Sequence, residues 1–224
     1  MDWNQVRALI EAPWQDYVEA KHRSAQIDAH LGFRIDEIER AIADPSIGQT
    51  WLHLSAQSFQ TPYPELADIV RLFPHKRSYR WLDLGAAYGR LGFVLQALRP
   101  ADSFLGYEFV DSRVQHGNEV LGRWRCTSAK LQCRDLRNLS DPWPPFDLLF
   151  LFDFGQPSEI AGFLDQLRER RSSQAFSLIG RGRATRHLIA TQHPWLSQVE
   201  EPLHTPHWSL YRSSWLSPGP GPQT

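Results

Sequence analysis

The sequence predicts an α/β protein with a mostly parallel sheet, a terminal antiparallel strand pair and a helical N-terminal extension. Three observations carry this. From about residue 56 to residue 213, short apolar runs alternate with amphipathic segments, and strands separated by helices of that length form βαβ units that pair in parallel. The last two apolar runs, 197–202 and 208–213, are joined by a link too short for a crossover, so they pair antiparallel. Residues 1–55 read as helical.

In the extension, residues 14–30 set Trp14, Tyr17, Val18, Ala25 and Ile27 at loosely helical spacing. Residues 34–43 set Ile35, Ile38 and Ile42 on one face, with acids and arginines between. Asp44-Pro45 breaks that run. A helix is predicted over 64–73, where Leu66, Ile69, Val70 and Phe73 are apolar, followed by a strand over Arg80–Leu84. A helix over 89–98, a strand over 103–109, a helix over 112–123 and a strand over Ala129–Cys133 come next. Residues 146–152 (FDLLFLF) form the most apolar strand, and a helix over Pro157–Arg171 and a strand over 174–179 follow. Pro206 lies in the turn of the closing pair. The Pro- and Gly-rich residues 217–224 read as a disordered tail.

Composition narrows the class of function. The 224 residues are 42% hydrophobic and 22% charged, ordinary for a globular protein that buries a core without disulfides or metals. The formal net charge of -1 lacks the basic excess that displaces counterions from nucleic acid, so a nucleic-acid partner is not expected. Arginines do gather at Arg168, Arg170, Arg171, Arg181, Arg183 and Arg186, for which a solvated helix face and a loop are the plainer account. Cys126 and Cys133 supply neither a zinc site nor a disulfide scaffold, and reducing cytoplasm is the simplest compartment. The start lacks a signal-peptide pattern, and no apolar stretch reaches the ~20 residues that span a bilayer, so no membrane association is expected. His204-Thr205-Pro206-His207 has metal-like spacing without an acid or thiol partner, and a turn is expected there rather than a metal. Several of the nine tryptophans are expected to hold the extension onto the sheet.

The sharpest motif is Asp83-Leu84-Gly85-Ala86-Ala87-Tyr88-Gly89, where an apolar strand runs through small residues into a helix. Small residues there let the backbone approach a ligand at the carboxyl end of a strand; a tight turn without ligand is the alternative. Glu108 ends the next strand, 23 positions after Gly85. An acid at about that offset accepts hydrogen bonds from both hydroxyls of a ribose. Asp135 follows the third strand, where an acid can accept from an adenine amino group. Together the three describe an adenosine pocket.

These residues resemble the class I S-adenosylmethionine-dependent methyltransferases. Asp83-Leu84-Gly85 through Gly89 is similar to that family's first motif, with Ala87 where a glycine is usual. The resemblance covers about residues 59–213. It implies a Rossmann-like seven-stranded sheet in a domain over 56–216, with 1–55 as an extension serving as lid or dimer face. It implies S-adenosylmethionine as cofactor and S-adenosylhomocysteine as product. The residues implied in cofactor binding are Thr61, Asp83, Gly85, Ala86, Ala87, Gly89, Glu108, Phe109, Asp135, Leu136 and Asp153. A narrower likeness, to small Dot1-like protein lysine methyltransferases, rests on Gln60-Thr61-Pro62-Tyr63, Gly89-Arg90-Leu91 and Gly106-Tyr107-Glu108. It implies that Thr61 and Tyr63 touch the methionine end; Thr61 as a helix cap with Pro62 at the first position is the alternative.

Phe152-Asp153-Phe154-Gly155-Gln156-Pro157 follows the most apolar strand. By resemblance it is the fourth motif, with Asp153 orienting or deprotonating an acceptor amine and Phe154 walling it. The alternative places Asp153 as a cap and Phe154 in the core. The catalytic set is therefore Asp153, Phe154 and Tyr63. The expected acceptor is a protein lysine or other amine, with a small metabolite as alternative. A binder without catalysis is a further alternative, because fold does not assign function. A dinucleotide-dependent oxidoreductase fits less well, because Ala87 and Arg90 fall where its fingerprint needs glycine.

Overall fold

The computed structural model describes residues 2–42, 56–138, 143–171 and 175–213. The break at Asp44-Pro45, Trp215 and the tail lie outside the described residues. Seven strands form one mixed sheet in the order β3-β2-β1-β4-β5-β7-β6. They are β1 (Arg80–Leu84), β2 (Ser103–Glu108), β3 (Ala129–Cys133), β4 (Leu148–Phe152), β5 (Ser177–Arg181), β6 (Leu203–His204) and β7 (Trp208–Arg212). β2 pairs with β3, β1 with β4, and β4 with β5 in parallel, whereas β7 pairs antiparallel with both β5 and β6. The helices are α1 (Trp3–Glu11), α2 (Tyr17–Leu31), α3 (Ile35–Ile42), α4 (Ala56–Phe59), α5 (Tyr63–Arg71), α6 (Arg90–Leu98), α7 (Asp111–Arg123), α8 (Pro157–Arg171) and α9 (Arg183–Gln192). The chain divides into two compact units, residues 1–80 with 86–135 and residues 81–85 with 136–224.

In the first unit, helix boundaries follow local chemistry. The Asp2 side chain accepts from Asn4 N–H and starts α1, whose Val6 and Ile10 are buried one turn apart. Val6 and Ile10 are the two of its nine residues that are buried, and so short a buried face does not separate α1 in the sequence. Asp16 accepts from Glu19 N–H, so α2 starts at Tyr17 rather than at residue 14, and Gly32 at φ +85° ends it. The tryptophans do tie the extension down, against helices rather than the sheet. Trp3 Nε1 donates to Trp124 O at 3.3 Å, and Trp124 Nε1 donates to Leu31 O at 3.0 Å. Arg7 adds a bond to Ala97 O at 2.8 Å, past the middle of α6.

A buried polar cluster joins α2, α5 and α6. Arg90 grips both carboxylate oxygens of Asp28, with Nε at 3.2 Å from Oδ1 and Nη2 on Oδ2. The same guanidinium donates to Gln57 Oε1 at 2.8 Å and to the Thr61 carbonyl at 3.3 Å. Tyr63 donates its hydroxyl to Asp28 at 3.0 Å, and its own N–H goes to Ser24 Oγ. Burial, followed by the Asp28 charge, pushes the Tyr63 phenol well above its usual range.

His116 on α7 accepts the Arg34 N–H at Nε2, 3.0 Å away, while Nδ1 lies 3.3 Å from Glu119. Burial lowers its pKa below the usual histidine value, against the pull of Glu119 and with the help of the Arg34 and Arg123 charges. Burial also lowers His193, opposed by Asp165 and aided by Arg168. A folded-state pKa below the unfolded value of about 6.5 means the unfolded chain binds more protons between the two. The stabilisation is thus complete above about pH 6.5 and is lost as pH falls through the folded values. We expect the urea midpoint to be lower at pH 5.5 than at pH 7.5, with a smaller difference in His116→Gln. Equal midpoints at the two pH values would contradict this.

In the second unit, β4 and β5 are buried along nearly their whole length, which fits their continuous apolar runs. β5 runs to Arg181, past the predicted stop at 179, because Gly180 and Arg181 pair with Ser209 and Trp208 of β7. The Arg181 guanidinium lies 4.3 Å from the Phe152 ring centre. β6 corrects the predicted strand over 197–202. Pro202 has no N–H to give a ladder, and pairing is confined to Leu203 and His204. α9 was hidden in the sequence behind its arginines. It buries Thr185, Leu188 and Ile189 on one side.

Candidate functional site

The loop after β1 alternates left-handed and ordinary backbone. Gly85 has φ +77°, Ala87 +48° and Gly89 +81°. A Cβ on Gly85 would lie 3.2 Å from the Phe154 Cβ, so glycine serves both the turn and that close approach. Ala87 occupies the left-handed region with a side chain, which costs about 1–2 kcal/mol. Part of that is offset because glycine loses more chain entropy on folding, about 0.4–1 kcal/mol. Ala87→Gly is therefore expected to stabilise the chain by about 0.5–1 kcal/mol, read as a higher urea midpoint. An unchanged or lower midpoint would contradict the strain.

Within the first unit, the loop and the end of β2 are bonded together. Ala86 N–H donates to Tyr107 O at 2.9 Å, and Ala87 N–H donates to Glu108 Oε2 at 2.9 Å. Glu108 Oε1 accepts from Val110 N–H at 2.9 Å. Each carboxylate oxygen has a second lone-pair direction. Glu108 pairs in register with Cys133 of β3, and Asp135 follows two residues later, so both acids stand at adjacent carboxyl strand ends. Phe109, next to Glu108, is 38% exposed, which is unusual for its type here. Leu136, which opens the second stretch of the second unit, is buried and starts a short turn of 3-10 helix.

Behind Glu108 stands a network with no sequence signal. Arg113 Nη1 lies 3.6 Å from Glu108 Oε1, and its Nε and Nη2 donate to Glu39 at 2.8 and 2.7 Å. Tyr88 donates its hydroxyl to the same Glu39 at 2.6 Å. Burial, then Glu39, raises the Tyr88 phenol. Glu39 sits 74 positions before Arg113, so no local pattern joins them.

Thr61 and Tyr63 part company. The Thr61 hydroxyl is buried and makes no hydrogen bond among the described residues. A buried polar group without a partner is rare and marks a place for a ligand or water. Tyr63 is corrected: it is fully buried and its hydroxyl is spent on Asp28, so it is a packing and anchoring residue rather than one facing a reacting methyl.

In the second unit, Asp83 is buried on β1, in register with Phe150 of β4. β1 and β4 flank the point where the strand order reverses, where open α/β sheets receive ligands. Asp153 follows β4. Its Oδ1 accepts from Thr185 N–H at 2.8 Å and its Oδ2 from Ala184 N–H at 3.3 Å. Its carboxylate therefore caps α9 from a distant strand, close to the alternative reading of a cap and away from that of a free base. Gly182 makes room: a Cβ there would fall 2.3 Å from the Asp153 Cγ. Phe154 is half-buried and packs edge-on against Phe163, with centroids 5.7 Å apart. Among the described residues no cluster of His, Cys, Asp or Glu could hold a metal, and no helix is long and apolar enough to cross a membrane.

No family model and no curated sequence matches the chain. Solved structures do. A precorrin-6y C5,15-methyltransferase from Geobacter metallireducens is 13% identical with a TM-score of 0.55, over 72% of this chain and 94% of that one. A point mutant of MtNAS in complex with S-adenosylmethionine is 13% identical with a TM-score of 0.50, over 93% of this chain and 88% of that one. At such identity the likeness concerns the fold, so the expectation against nucleic acid gains no support, nor does the narrower Dot1-like resemblance. The chain has the fold of the class I S-adenosylmethionine-dependent methyltransferases.

Proposed function

We propose that the chain is an S-adenosylmethionine-dependent methyltransferase. One observation carries this reading: a turn with left-handed backbone at 85, 87 and 89 is bonded through Ala87 to Glu108 at the next strand end. This supports the reading because an adenosine needs close backbone and a carboxylate for its ribose at the next strand end. The partnerless Thr61 hydroxyl fits a polar ligand as well. When bound, S-adenosylmethionine supplies a methyl on a cationic sulfur, which passes in line to an acceptor lone pair while the C–S bond breaks and S-adenosylhomocysteine leaves.

The chain's residues bind and orient. Glu108 accepts from the two ribose hydroxyls with its second lone pairs, and Arg113, held by Glu39, stands 3.6 Å behind its Oε1. Asp135 accepts from the adenine amino group, while Phe109 covers the ring. Ala86, Ala87 and Gly89 bring backbone close to the nucleoside, and Thr61 serves the amino-acid end. Phe154 walls the acceptor and excludes water. Asp153 is assigned a positioning role, holding the first turn of α9. The acceptor is an amine of a small molecule or a protein lysine.

The test is incubation of the purified chain and methyl-labelled donor with cell extract, resolved into protein, RNA and small-molecule fractions. Label in the protein or small-molecule fraction, with S-adenosylhomocysteine released, is expected. Label in RNA alone overturns the amine acceptor. Donor binding without label in any fraction makes the chain a binder that does not catalyse.

A further inference from the structure

α9 presents Arg183, Arg186, His187 and Ala190 at helical spacing i, i+3, i+4, i+7, opposite the buried Thr185, Leu188 and Ile189. That face lines a groove of about 590 Å³ together with Ala184 and with His204 and Tyr211 of the β6–β7 hairpin. The volume lies within the roughly 300–1,000 Å³ of small-molecule sites. No carboxylate is among the lining residues, and no Asp or Glu among the described residues pairs with Arg183, Arg186, His187 or His204. Two guanidiniums thus face one groove without compensation.

The groove is also organised before any ligand arrives. Arg186 Nη1 donates to Pro206 O at 3.0 Å, and Tyr211 lines the same groove. A guanidinium has five N–H donors, so Arg186 is anchored with donors to spare. His204 is fixed through Nδ1 to Ser209 Oγ at 2.7 Å. The first-turn N–H groups of α9 at Ala184 and Thr185 are taken by Asp153, so anion recognition falls to the side chains.

We propose that this groove binds the phosphate group of a small phosphorylated molecule. Planar guanidiniums match phosphate oxygens two at a time, and an anchored one loses little freedom on binding. A polynucleotide would need a longer basic track with exposed aromatic platforms; here Tyr211, the one Phe, Tyr or Trp among the lining residues, is buried. The phosphate site stands on its own residues. Its use as a handle for the methyl acceptor rests on the function proposed above.

Calorimetric titration of the full chain tests the site, with glycerol 3-phosphate, glycerol, succinate and a ten-nucleotide oligouridylate at physiological salt. Saturable one-to-one binding of glycerol 3-phosphate is expected, with no binding of glycerol. The double variant Arg183→Ala/Arg186→Ala is expected to weaken it at least tenfold while S-adenosylmethionine binding stays as in the parent. Arg183→Glu, exposed and without a partner among the described residues, leaves the Arg186–Pro206 bond in place and is expected to weaken phosphate similarly. Unchanged affinity in both variants, equal binding of succinate, or tight binding of the oligouridylate alone would overturn the proposal. Phosphate binding without S-adenosylmethionine binding would uphold the groove and sink the methyltransferase reading separately.

Discussion

Asp28→Ala is expected to cost about 3–5 kcal/mol of stability, the usual consequence of leaving a buried charge without its partner. Asp28 and Arg90 are 4% and 3% exposed, so water does not replace the lost carboxylate. The substitution also orphans the Tyr63 hydroxyl, whose acceptor among the described residues is Asp28, and leaves Arg90 with Gln57 and the Thr61 carbonyl. For a chain of this size the melting temperature should fall by roughly 6–20 °C. Asp28→Asn keeps an acceptor and should fall between the two. A change below about 1 kcal/mol in urea unfolding would show that the cluster is dispensable.

The second large effect is on the cofactor. Glu108→Gln removes the charge and one of the two acceptor oxygens that meet the ribose. A hydrogen bond to a charged group contributes about 1.5–3 kcal/mol, so affinity for S-adenosylmethionine should drop about 10–100-fold. The amide can still accept from Ala87 or Val110 N–H through its remaining carbonyl oxygen, which limits damage to the loop. Circular dichroism and urea unfolding on the same sample separate a binding loss from an unfolding one. An affinity equal to the parent's would remove Glu108 from the ribose.

Much of this was legible because it is local. β1 through α7 follow from apolar runs, caps and the glycine turn, all within a few residues of one another. The offsets after strands also placed Glu108 at the end of β2 and Asp135 just after β3. What the sequence could not show depends on distant partners. Tyr63 looks like a residue aimed at a ligand until Asp28, 35 positions earlier, takes its hydroxyl. Asp153 looks like a base until the first turn of α9, 31 and 32 positions later, claims its carboxylate. The Glu39–Arg113–Glu108 relay has no local signature for the same reason. α9 was missed because a helix rich in arginine resembles a solvated loop when its buried face is no more than Thr185, Leu188 and Ile189.

The account is tested most directly by calorimetric titration of the purified chain with S-adenosylmethionine, S-adenosylhomocysteine and NAD in parallel. It predicts one-to-one binding of both sulfur nucleosides at micromolar concentration, and no heat from NAD. Silence toward both sulfur nucleosides at millimolar concentration, or preferential binding of NAD, would contradict it.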